Sequence, residues 1–106
     1  MSTPVFKHYG VPTAQQQDGE LYIEGAGVYI TDPDAHPYNV EFLRFEEDSL
    51  MPQEIQTKPH AAFLVDDLDA ALEGKDVLLE PFDATDELRV AFIIDGDALI
   101  ELMEEK

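Results

Sequence analysis

Four side chains in this 106-residue sequence are of types that do chemistry and recur at matching places: His8 and Glu41 in the first half, His60 and Glu101 in the second. Each half carries a histidine near its start and a glutamate inside its last apolar run, Val40-Glu41-Phe42-Leu43 and Ile100-Glu101-Leu102-Met103. Side chains alternate between the two faces of a strand, so Glu41 shares a face with Leu43 and Phe45, and Glu101 with Leu99 and Met103. A carboxylate on such an apolar face must find a cation, take up a proton, or line a water-filled cleft. Singly, a histidine on an apolar strand is most often a hydrogen-bonded core or rim residue, and a glutamate beside Leu and Met is often at an open sheet edge. Two His-then-Glu pairs in repeated positions are harder to assign to chance.

The elements that must position these residues follow from hydrophobic pattern and turn chemistry. His60 to Val65 is a short apolar run ending at Asp66-Asp67, which reads as a strand meeting a helix start. Asp66 or Asp67 can cap a helix over 67–73, with Leu68, Ala71 and Leu72 on one face and Gly74 at its end. Val77 to Leu79 follows, then a break at Pro81 and an acidic loop through Asp86. Leu88 to Ile94, rich in β-branched and aromatic residues, is a strand. It turns at Asp95-Gly96-Asp97 into a returning strand, Ala98 to Met103. The order is β-α-β-β-β.

The first half repeats this plan in weaker form. Phe6 to Val11, Leu21 to Glu24, Val28 to Thr31 and Asn39 to Phe45 are the expected strands. The polar stretch from Pro12 to Glu20 holds at most a vestigial helix, and Pro52 to Pro59 reads as a linker.

The stretch from His60 to Glu104, with His-Ala-Ala-Phe-Leu-Val-Asp-Asp-Leu, Val-Ala-Phe-Ile and Ile-Glu-Leu-Met, resembles the second module of the vicinal oxygen chelate superfamily, the glyoxalase, bleomycin-resistance and extradiol-dioxygenase group. The first module, through His8-Tyr-Gly-Val-Pro-Thr and Val40-Glu41-Phe42, resembles it less closely. The resemblance implies an α/β (α+β) fold, with two βαβββ modules paired into a curved, half-open mixed sheet, the first module shortened and its helix reduced. It implies one glyoxalase-like domain over 1–106, with module 1 at about 1–51 and module 2 at about 59–106.

It also implies a divalent metal (Ni, Co, Zn, Mn or Fe) held from the first and last strands of each module, by position His8, Glu41, His60 and Glu101. Two imidazoles and two carboxylates suit first-row divalent ions better than calcium. Such an ion acts as a Lewis acid on two neighbouring oxygens of a small carbonyl substrate and stabilises an enolate. A loosely held glutamate, Glu41 or Glu101, is the candidate catalytic base. A lyase, isomerase or epimerase is the expected function. A ring-cleaving, extradiol-type dioxygenase is the enzymatic alternative, and a non-catalytic small-molecule or antibiotic binding protein the other.

The remaining features narrow the field. Six basic residues against 24 acidic ones, a formal charge of −18, disfavour nucleic acid and anionic membranes as partners. The absence of cysteine excludes disulfides, thiolate metal sites and thiol nucleophiles. No serine-nucleophile, phosphate-loop or dinucleotide motif is present. Met1 to Gly10 has neither a basic start nor an apolar core, so no secretory signal is expected and a cytoplasmic location is. A homodimer is expected from the small core. His36, between Pro33 and Pro37, reads as part of a polar turn, with a second metal site as the alternative. Arg44 falls on the face opposite Glu41 and should pair with surface acids or reach a partner subunit. Arg89 and Lys58 are surface ion-pair residues or, less simply, anchors for a substrate carboxylate. Tyr22, Tyr29 and Tyr38 either pack or line a cleft.

Overall fold

The repeat in the sequence has a physical counterpart in the strand ladder. In the computed structural model, which describes residues 3–106, the first half lays down β1 (Val5–Pro12), β2 (Leu21–Ile23), β3 (Val28–Ile30) and β4 (Val40–Phe45). A short helix, α1 (Gln53–Thr57), leads into β5 (His60–Leu64), α2 (Leu68–Ala71), β6 (Asp76–Thr85), β7 (Leu88–Asp95) and β8 (Ala98–Glu105). All eight strands join one mixed sheet in the order β2-β3-β4-β1-β5-β8-β7-β6, curled into a half-barrel. Read outward from the centre, each half contributes its first, fourth, third and second strand. β1 and β5 run antiparallel, whereas each runs parallel to the last strand of its own half. This is the α+β, two-module, half-open sheet expected.

Register repeats along with order. Ile30 faces Leu43 across β3 and β4 as Val90 faces Met103 across β7 and β8, a constant offset of 60 positions. Gly10 pairs with Glu41 as Ala62 pairs with Glu101. The inner ladders are therefore superimposable, and the two histidines enter them at equivalent points, two residues before Gly10 and two before Ala62.

The halves differ in what surrounds this frame. In the second, α2 covers the outer face of the sheet. Asp67 caps it by accepting from the Ala70 N–H at 3.2 Å, and Leu68 and Val65 pack on Ala91, Ile93 and Leu102. The helix is shorter than the expected 67–73, because residues 72–74 already turn and Gly74 takes a left-handed φ of 72°. In the first half residues 13–20 form neither helix nor strand. The outer face there leaves Tyr9 and Phe6 exposed.

Two expectations are corrected. Pro81 does not end the strand: β6 runs through it from Asp76 to Thr85. It does so because β6 is an edge strand whose pairing shifts between Leu79 and Phe82, and a missing N–H is tolerated at such an irregularity. The stretch 52–59 is more than a linker. It contains α1, whose Ile55 is only 2% exposed and packs with Phe92 and Leu99. Burying that side chain contributes roughly 1.5–3 kcal/mol, enough to hold one helical turn against the sheet. No helix among the described residues is long and apolar enough to cross a membrane.

Candidate metal centre

The four residues picked out by repeat and parity converge at the centre of the curled sheet. His8 is on β1, Glu41 on β4, His60 on β5 and Glu101 on β8, the four adjacent middle strands. All four side chains are largely buried, His60 almost completely. One ligand atom from each lies within 4.8 Å of every other, a spacing that could hold a metal ion. Among the described residues this is the one such group of His, Asp or Glu.

The geometry inside the cluster is unequal. Glu101 Oε1 lies 3.0 Å from His60 Nε2 and 3.5 Å from His8 Nε2. Glu41 Oε1 touches His8 alone, at 3.3 Å. Both contacts of His8 Nε2 are at ion-pair distance without hydrogen-bond alignment, so this buried nitrogen has no hydrogen-bond partner among the described residues. His60 Nδ1 is likewise buried and unpartnered. Buried polar atoms are nearly always satisfied, so an unpartnered imidazole nitrogen beside two carboxylates fits the donor set of a metal ion.

The electrostatics agree. Burial opposes a charge on His8, but the Glu101 and Glu41 carboxylates beside it prevail and push its pKa up to about 10. Burial likewise opposes ionisation of Glu101, yet His60 and then His8 hold its carboxyl well below the usual range, at about 2. The cluster thus demands positive charge. Protons supply it when nothing else does, and a divalent ion with two neutral imidazoles and two carboxylates balances the same two negative charges.

Local packing explains how two imidazoles fit between four strands. Gly10 stands opposite His60 in the β1–β5 ladder, and the His60 ring lies close against it. A Cβ at Gly10 would fall 2.2–2.8 Å from three atoms of that ring. A glycine inside a strand marks close approach of this kind, and Gly10 in His8-Tyr9-Gly10 is the signal of it in the sequence. Phe92 closes the other side of His60, edge-on at a centroid distance of 5.2 Å. His8 faces Ala62, which is fully buried. Asn39, left-handed at φ 57°, ties the backbone on both sides of His8: its Nδ2 donates to the Lys7 carbonyl, and its own carbonyl accepts from the Tyr9 N–H.

The other candidates lie away from this cluster. His36 accepts at Nδ1 from the Tyr38 and Val40 N–H groups, and Asp32 accepts from the Asp34 N–H, so this loop is the polar turn. Arg44 is on the face opposite Glu41, forked onto Glu20 and stacked 4.3 Å from the Tyr29 ring centroid. Arg89 pairs with Asp69 at 3.1 Å. Tyr22 packs on Tyr29 and donates to Glu46, while Tyr38 is exposed.

Above the cluster the half-barrel forms a half-open cavity of about 100 Å³. His8, Glu41 and Glu101 form its polar end, and Ile23, Val28, Leu43, Phe82, Val90 and Met103 are among the apolar walls.

No protein-family model and no curated protein matches this sequence. The fold is similar to that of hypothetical protein BH1468 from Bacillus halodurans C-125, whose crystal structure aligns with a TM-score of 0.71 at 19% identity, over 99% of this chain and 96% of that one. At that identity the likeness concerns the fold: the curled half-barrel is a frame that another chain also adopts end to end.

Proposed function

We propose that this chain is a divalent-metal enzyme of the glyoxalase-like, vicinal oxygen chelate kind, a lyase, isomerase or epimerase acting next to a carbonyl. The observation that carries the reading is the convergence of His8, Glu41, His60 and Glu101 within 4.8 Å of one another, with a buried, unpartnered nitrogen on His8. These four residues would hold the ion. Once bound, it supplies Lewis acidity toward two neighbouring substrate oxygens.

The chain's own contribution follows from the inequality between the glutamates. Glu101, braced by both histidines, is the fixed member and keeps the imidazoles oriented. Glu41 has one contact, to His8, and lines the cavity, so it is the carboxylate free to swing toward substrate. A carboxylate there takes the proton from the carbon next to the carbonyl and returns it to a different carbon or face. The apolar walls exclude water from the carbanionic centre and strengthen each electrostatic contact. A second copy of the chain on the open side of the sheet would complete the enclosure.

Elemental mass spectrometry on protein purified without affinity tag or chelator tests the reading, beside His60→Ala and Glu101→Ala. Near-stoichiometric nickel, cobalt, zinc or manganese, lost in both variants, is the expected result. Iron with oxygen-dependent ring cleavage would move the assignment to the dioxygenase. No metal, even after reloading with each ion, would overturn it.

A further inference from the structure

The cavity over the metal cluster restricts what the remainder of a ligand can be. Its polar residues gather at one end, at His8, Glu41 and Glu101, with Thr85 at the exposed end of β6. The wall between them is aliphatic and aromatic. Among the described residues, which include all six Lys and Arg, no lysine or arginine lines it, and the His8 imidazole at the cluster end already faces Glu41 and Glu101. Arg44 and Arg89, the two arginines, are committed to Glu20 and Asp69 elsewhere. A phosphate, sulfonate or carboxylate on the far end of a ligand would enter a wall with no counter-charge, in a chain of net charge −18. Burying an uncompensated anion there is prohibitive.

Resting on the metal-site reading above, we infer that the ligand is a compound with two neighbouring oxygens whose remaining atoms form a short, uncharged, apolar tail. The size follows from the volume. An apolar cavity of about 150 Å³ takes benzene, so the 100 Å³ here accommodates a tail of about four non-hydrogen atoms between its walls. An anionic group placed against the same wall is disfavoured.

Two measurements separate this inference from the reading beneath it. In metal-free protein, dissolved xenon should shift the methyl resonances of Val28, Leu43 and Val90 saturably, and Ala84→Phe, a partly exposed lining position, should abolish the shifts. For zinc-loaded protein the probes are hydroxamates, which present two adjacent oxygens. Calorimetry should show affinity rising about tenfold from acetohydroxamate to butyrohydroxamate, the value of two buried methylenes. It should fall at least tenfold for the analogue ending in a carboxylate. Thr85→Lys, at an exposed position that leaves the core intact, should recover most of that loss.

Equal affinity for the neutral and carboxylate-ended probes, with zinc bound, overturns the tail assignment and leaves the metal site standing. Failure of xenon to perturb the lining methyls overturns it too. Failure to bind zinc or any hydroxamate overturns the reading of the site itself.

Discussion

The two halves of this molecule share one register and diverge everywhere the register does not reach. In both, a histidine two residues before a small residue on the first strand meets a glutamate on the last. Outside that frame the second half has long strands, a capped helix and a core beneath it, while the first has three-residue strands and no helix over 13–20. Residues 31–39 show the cause. They correspond to 91–99, which continue the β7–β8 ladder to Asp95 and Ala98. In the first half Pro33 and Pro37 withhold the N–H groups that ladder needs, and the chain makes a polar turn instead. The comparison teaches that the four central strands suffice to build the site, and that helix and hairpin length are free to vary around them.

The sharpest way to break the equivalence is to remove one glutamate at a time. Glu101 is contacted by both histidines and Glu41 by one. Glu101→Ala should therefore destabilise the metal-free protein by about 3–5 kcal/mol, the usual effect of leaving a buried partner charge uncompensated. Glu41→Ala should cost clearly less and spare the fold while abolishing turnover. Urea denaturation of both variants, with metal content measured alongside, checks the order. Equal losses would mean that the two halves hold the site symmetrically.

The small residues opposite the histidines offer the next comparison. Gly10→Ala drives a methyl into the His60 ring and should cost about 1–3 kcal/mol, as overpacking does, together with metal retention. Its counterpart Ala62→Gly removes a methyl that His8 already tolerates, and should cost about 0.5–1 kcal/mol with metal still bound. Thermal melts and metal analysis of the two variants read out the difference.

How much of this was legible beforehand depended on whether a residue's role is local. The parity argument for Glu41 and Glu101 needs only the strand they occupy, and the structure places both on the inward face with Leu43 and Met103. The histidines were legible because the repeat puts them at equivalent points. Gly10 was not, since its role appears only once β5 lies beside β1 and brings His60 over it. Nor was α1, whose one buried side chain, Ile55, is meaningful only against Phe92 and Leu99 from the far end of the chain. Pro81 reads as a break unless the strand is known to be at an edge.

The pH response separates the roles of His8 and Glu101. The pKa of His8 is raised to about 10, so its stabilising contribution is complete below about 6.5, the ordinary imidazole value, and is lost as pH rises through 10. Glu101, lowered to about 2, contributes above the ordinary carboxyl value of 4.5 and loses its contribution as pH falls through 2. The melting temperature of chelator-treated protein should therefore be highest between about pH 4.5 and 6.5 and decline steadily from pH 7 to 9, an interval in which ordinary carboxylates and lysines do not titrate. His8→Gln should flatten that slope. A slope unchanged in His8→Gln would place the titrating group elsewhere.

The smallest expected difference concerns equivalent positions on the outer face. Tyr29 and Arg44 are cross-strand partners in the first half where Arg89 and Glu104 are partners in the second. Arg44 lies over the Tyr29 ring and donates through two nitrogens to Glu20, whose carboxyl its guanidinium holds below the usual range. Arg89 reaches Asp69, a largely exposed side chain, at 3.1 Å through one nitrogen and Glu104 at 3.8 Å through another. A forked, stacked guanidinium keeps its geometry, whereas unstacked surface ion pairs are offset by side-chain entropy and screened by salt. Arg44→Ala should thus lower the melting temperature measurably in both low and high salt, because the stacking survives screening. Arg89→Ala should have an effect only at low ionic strength. Among the described residues the first half has no α-helix over its outer face, and a stacked arginine there does part of the covering that α2 does in the second. Matching salt dependence in the two variants would show that Arg44 too acts only as a surface charge.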